Sequence, residues 1–152
     1  MPIRRLFFAT KYAIRWVRAL DFAAHSQWES AWKQLLAMGD AIFLEANPVN
    51  VEAQALYVLV AHRLGHNAEA LRVIDLATDA LTESSGRVEI ERKYLRTYLE
   101  MQRLIIESRP FDECSDEIGA LRELCESINL EAVPKHLKQN FPFVEAVING
   151  RT

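Results

Sequence analysis

Three groups of side chains have the residue types that chemistry uses. His62 and His66 stand four residues apart, the spacing that sets two metal ligands on one helical face. Gly65 falls between them and predicts a helix end, so the two rings need not converge, and no Cys lies nearby to complete a coordination shell. His62 then reads as a surface residue, His66 as a turn residue, and no metal is expected. Asp112, Glu113, Asp116 and Glu117 crowd the start of a predicted helix. Acids there are stabilised by the helix dipole, and Asp112 as a cap is worth about 0.5 to 2 kcal/mol. Calcium would need a loop of oxygen ligands around a Gly, which this stretch lacks, so the cluster reads as structural. Cys114 and Cys125 lie eleven residues apart in one predicted helix. At ~1.5 Å per residue that is roughly 16 Å, beyond the ~7 Å Cα limit for a disulfide. Two unpaired thiols fit a reducing compartment.

Nucleophile signatures are missing from the sequence. It has no Gly-x-Ser-x-Gly elbow, no phosphate loop and no dinucleotide glycine pattern, and neither Cys has a His close by. The expectation is a non-enzymatic protein with no cofactor, so the elements that would carry a binding surface become the question.

With 152 residues, half of them apolar, the chain suffices for one domain with a core. Five Gly and five Pro are few for a turn-rich β protein, while Ala, Leu, Glu and Arg favour helix. An all-α fold is predicted. The net charge of −3 conceals a segregation: Arg4, Arg5, Lys11, Arg15 and Arg18 place +5 in the first twenty residues, which hold no acid, and the rest carries −8. An acidic body argues against nucleic acid as a partner, since that backbone wants a broad basic face. No run of eighteen uncharged apolar residues predicts a membrane span, and Lys11 and Arg15 interrupt what a secretory signal would need as its apolar segment. The Arg-rich, acid-free start is closer to an organellar transit peptide; otherwise the expected location is cytoplasmic.

Breaks at Asn47-Pro48, Gly65, Thr82 to Gly86 and Arg109-Pro110 divide the chain. Between them the periodicity predicts helices over Arg4–Ala24, Gln27–Glu45, Val49–Leu64, Asn67–Leu81, Arg87–Ser108 and Asp112–Ile128. Two short helices are expected in the tail, with Pro134 and Pro142 at first helical positions. The second helix of each pair repeats one device: Ala31 with Leu35, Ala70 with Ile74, and Cys114 with Ile118. A small residue early in the helix lets its partner approach, and the aliphatic one turn later fills the widening gap.

Residues Val51 to Thr82, with Tyr57, Gly65, Ala70, Ile74 and Ala77 in the matching places, resemble the tetratricopeptide repeat. Gln54 stands where that pattern has Trp, Val58 where it has Gly, and Thr82 where it has Pro; Ala31 to Ala70 is 39 residues and Ala70 to Cys114 is 44, against roughly 34 in the family. The resemblance implies three stacked helical hairpins in a single domain, over about residues 12–46, 49–82 and 87–128, with a C-terminal cap at 130–150 and residues 1–10 free to extend. It further implies a scaffold or adaptor that binds a peptide or helix of a partner protein in a concave groove. Carried across, the groove positions are Trp16, Leu20, Glu52, Leu59, His62, Arg63, Arg96, Leu99 and Arg103, with Tyr57 as a further anchor. Of the family's carboxylate-clamping positions only Arg96 matches.

On a wheel of ~100° per residue, Arg4, Lys11, Arg15 and Arg18 share a sector of about 60°, with Phe8, Tyr12 and Trp16 as a second, aromatic edge. Such a helix either packs as the first member of the first hairpin, basic side outward, or lies on an anionic membrane surface as a recruiting element. Arg5 belongs to the same basic stretch. A short helical stack also exposes apolar ends, which leaves a homo-oligomer open.

Overall fold

Two turns of the same build organise the first half of the chain. In the computed structural model helix α1 (Ile3–Ala24) passes into α2 (Trp28–Met38) through His25, Ser26 and Gln27, and α3 (Pro48–Arg63) passes into α4 (Asn67–Glu83) through Leu64, Gly65 and His66. In the first, Gln27 N–H reaches the Phe22 carbonyl at 2.8 Å and Ser26 N–H the Ala23 carbonyl at 3.0 Å; in the second, His66 N–H reaches Ala61 at 2.8 Å and Gly65 N–H reaches His62 at 3.0 Å. This double bond pattern satisfies carbonyls that a helix end would otherwise leave unpaired, and it demands a left-handed residue at its middle. Gly65 takes φ 84°, without penalty; Ser26 takes φ 56°, at a cost of about 1 kcal/mol for its Cβ. The register then continues identically, with Ala31 N–H on the Gln27 carbonyl and Ala70 N–H on the His66 carbonyl, both at 3.0 Å.

The structure describes residues 3–42, 48–83, 89–108, 113 and 115–143, apart from the side chains of 3–13, 40, 41, 48–50, 80, 82 and 83. Among the described residues there are seven α-helices and no strand, as the all-α expectation has it. The contacts form two compact units, Met1–Gly86 and Arg87–Thr152.

In the first unit α1 packs on α2, α3 on α4, and α3 also meets α1, α2 and the 3₁₀ turn Gly39–Ile42. The device of small residue and aliphatic is buried in both hairpins: Ala31, Leu35, Ala70 and Ile74 have no exposed surface. Helix α2 stops at Met38 instead of running to Glu45, because Gly39 turns the chain with φ 60°. Gln54 donates through Nε2 to the Ile42 carbonyl at 2.8 Å, so a polar side chain bonds α3 to the end of that turn. Helix α4 runs on through Thr82 to Glu83, beyond the expected stop at Leu81.

The second unit is built around α5 (Glu89–Glu107), which pairs with α6 (Ser115–Glu126). A 3₁₀ turn, Leu130–Ala132, and a short α7 (Lys135–Asn140) follow, with Pro134 immediately before α7. Pro142 lies past the end of α7 and starts no helix among the described residues. The tail returns to α5: Tyr94 Oη donates to the Phe141 carbonyl at 2.8 Å, the Tyr94 and Phe143 rings stack at 4.4 Å, and Phe141 meets Tyr98 at 5.3 Å. Asp112, Cys114, Arg109-Pro110, residues 84–88 and residues beyond 143 lie outside the described residues, as do the side chains of Arg4, Arg5 and Lys11.

Candidate functional site

Helix α3 is nearly enclosed. Every position from Val51 to Ala61 is buried except Glu52 and Leu59, which are half-buried. Those two lie seven residues apart and Arg63 four further on, so they form one line down the helix with His62 beside it. His62 Nδ1 meets Asn67 Oδ1 at 3.0 Å, bonding the last turn of α3 to the first of α4. Exposed Arg63 places its guanidinium 5.4 Å from the centre of the Trp28 ring, close enough for the cation to feel the ring's negative face.

Behind this line an aromatic and ionic cluster joins the two hairpins. Trp32 of α2 packs at 4.8 Å on Tyr57 and stacks at 5.3 Å on His66. Tyr57 Oη donates to Glu69 Oε1 at 2.9 Å, and Arg72 grips the same carboxylate with Nε at 2.9 Å and Nη2 at 2.6 Å. Arg72 therefore holds the Glu69 carboxyl below its ordinary range, and Glu69 in turn raises Arg72. Burial, with the bond to Glu69 second, pushes the Tyr57 phenol up to about 12. Tyr57 is thus a buried bracket between helices and offers no surface to a partner, contrary to the sequence expectation; the hairpin crossing that brings it to Glu69 turns it inward.

An alkaline titration tests this bracket. A phenol whose folded value exceeds the free value near 10 contributes stability that is complete below about pH 10 and is lost as pH rises through its folded value. Burial raises Tyr94 to about 12 as well. In phenolate absorbance, Tyr57 and Tyr94 should both ionise near pH 12, and Tyr57→Phe should lower the late amplitude by one tyrosine. A late component reduced but not abolished in Tyr57→Phe is the expected result; an unchanged late amplitude would show that Tyr57 is not held as described.

The remaining expected residues are scattered. Trp16 and Leu20 are half-buried on the side of α1 that carries the buried Ala19. In the second unit Arg96 is exposed, while Arg103 is half-buried and donates through Nε to Glu100 Oε2 at 3.3 Å. Leu99 has no exposed surface and is withdrawn as a contact residue: the buried positions of α5 span about 200° of its circumference at ~100° per residue, and Leu99 closes one edge of that arc beside Ile106. Arg96 and Arg103 line a groove of about 420 Å³ between α5 and α6, over Leu104, Leu121 and Leu124. Glu100, Glu107 and Glu117 also line it, so its charges largely cancel and it selects no ligand sign. A partly solvent-accessible pair three residues apart on one helix, such as Arg103 with Glu100, adds little.

His62 and His66 are held by different partners, Asn67 and Trp32. No three His, Cys, Asp or Glu side chains gather as a metal would require among the described residues. Half-buried Cys125 has its thiol raised by burial first and by Glu126 second, the direction that makes a thiol less reactive. Sequence reasoning missed Trp28 as a surface residue; its place four residues before Trp32 on α2 was the available signal. Comparison with family models, curated proteins and solved structures finds no match for this chain.

Proposed function

We propose that this chain is a non-enzymatic scaffold or adaptor, tetratricopeptide-like in its stacking and cytoplasmic, that holds a peptide or helix of a partner protein against the open line of α3. The observation that carries this reading is that a helix closed at every other position from Val51 to Ala61 stays accessible at Glu52 and Leu59, and ends in Arg63 over Trp28. Tryptophan and arginine are the side chains over-represented where binding energy concentrates. The line alternates acid, aliphatic and base, which suits an amphipathic segment bearing some acid. In the second unit, taken by itself, Arg96 and Arg103 on the α5 groove are the corresponding candidates.

A photo-crosslinking residue in place of Leu59 should capture the partner in cells. With that partner purified, Arg63→Glu should weaken its binding at least about tenfold, roughly 1.4 kcal/mol. Because Arg63 is exposed, thermal unfolding should stay nearly unchanged. Undiminished affinity would remove this face from the assignment.

A further inference from the structure

Helix α1 has an outward side that its packing leaves open. Its inner side is set by buried Ala19 and half-buried Trp16, Leu20 and Ala23, where it meets α2 and α3. Opposite, Ile14 is 68% exposed and Val17 is 62% exposed, the two most exposed large hydrophobic side chains among the described residues. Exposed Arg15 and Arg18 flank them. Trp16, of the aromatic edge noted in the sequence, lies on the packed side.

The helix runs unbroken back to Ile3, so the register carries both lines up the helix. At helical spacing, Thr10, Phe7 and Ile3 fall on the line of Ile14 and Val17, and Lys11 and Arg4 fall with Arg18 and Arg15. In this helical register an apolar sector thus borders a basic one for about four turns, roughly 23 Å at ~1.5 Å per residue. Asp21, the first acid in the chain, ends the apolar line.

We propose that α1 docks in the plane of an anionic lipid surface through this outward side. Three observations select that occupant. The first twenty residues carry +5 and no acid while residues 21–86 of the same unit carry nine acids and three bases, or −6, so an anionic surface attracts α1, repels the rest of that unit, and orients the unit with α1 toward it. A second copy is disfavoured, because pairing these faces would bring two +5 segments together. Ile14 and Val17 also form a convex ridge, not a groove. A deformable headgroup layer accepts a ridge directly, whereas a protein partner would need a matching concavity.

Flotation of the full chain tests this with two vesicle types, phosphatidylglycerol mixed into phosphatidylcholine, and phosphatidylcholine alone. The wild type should float with the anionic vesicles and not with the neutral ones. Ile14→Asp with Val17→Asp, and separately Arg15→Glu with Arg18→Glu, should each reduce the floated fraction about tenfold. These positions are exposed, so circular dichroism melting should be unaffected and a loss of binding is not a loss of fold. Absence of wild-type flotation overturns the proposal. So does Ile14→Asp with Val17→Asp floating like the wild type, since that is charge adsorption without docking of the ridge. Capture of the wild type by an immobilised acidic helical peptide without flotation would replace the lipid by a protein.

Discussion

Replacing Phe141 by Ala is expected to cost the second unit about 3 to 5 kcal/mol, the usual range for emptying a buried phenylalanine site. The ring has no exposed surface and lies against Tyr98 at 5.3 Å, while its own carbonyl accepts the Tyr94 hydroxyl at 2.8 Å. Truncation leaves a cavity beside Tyr98 and loosens the segment that positions that carbonyl. A buried phenol without an acceptor costs a further 1 to 3 kcal/mol, roughly, if the segment moves away. Such a loss is a large share of the ~5 to 15 kcal/mol that holds a typical domain. Urea unfolding followed by circular dichroism should show a midpoint lower by about 1 to 5 M, given slopes of ~1 to 3 kcal/mol per M. Amide exchange along α5 should accelerate. Leu130→Ala, at a position 46% exposed, should change neither by much. A Phe141→Ala effect below about 1 kcal/mol would mean that the tail does not seal this unit.

Local signals explain what was legible in advance. The start of α1 and both ends of α3 fall within one residue of the periodicity-based bounds, because apolar spacing and Gly or Pro breaks act within a few residues. Gly65 announced its turn. Ser26 did not, because a serine at positive φ is imposed by the chain on either side and not by its own preference. The same limit applies to the site. Glu69 and Arg72 are three residues apart and readable as a pair, but Tyr57 reaches Glu69 across twelve residues and Tyr94 reaches Phe141 across 47. Those contacts exist only once helices cross. The resemblance placed Tyr57 and Leu99 on the groove, and packing buries both. Glu52, Leu59 and Arg63 stayed accessible because three of the four sides of α3 are taken by α1, α2 and α4.

The 39-residue correspondence between the two hairpins of the first unit yields the second large effect. Ala31 and Ala70 sit one turn into α2 and α4 and Leu35 and Ile74 one turn later, all four without exposed surface. Ile74→Ala should cost about 2 to 5 kcal/mol, whereas Leu76→Ala, at a position 44% exposed on the same helix, should stay below about 1 kcal/mol. The contrast separates periodic burial from mere hydrophobicity. A sharper test exchanges the volumes, Ala70→Ile together with Ile74→Ala. If only total core volume mattered, the exchange would restore stability. The geometry says otherwise: near the turn α3 and α4 are tied by His66 N–H to Ala61 and by His62 to Asn67, and a branched side chain at position 70 must push against helices that cannot part. Overpacking of that kind costs about 1 to 3 kcal/mol, while the space at position 74 stays empty. The double variant should therefore be no more stable than Ile74→Ala in urea unfolding followed by tryptophan fluorescence, which reports this unit because Trp16, Trp28 and Trp32 all lie within it. A double variant as stable as the wild type would reduce the shared device of the two hairpins to a coincidence of composition.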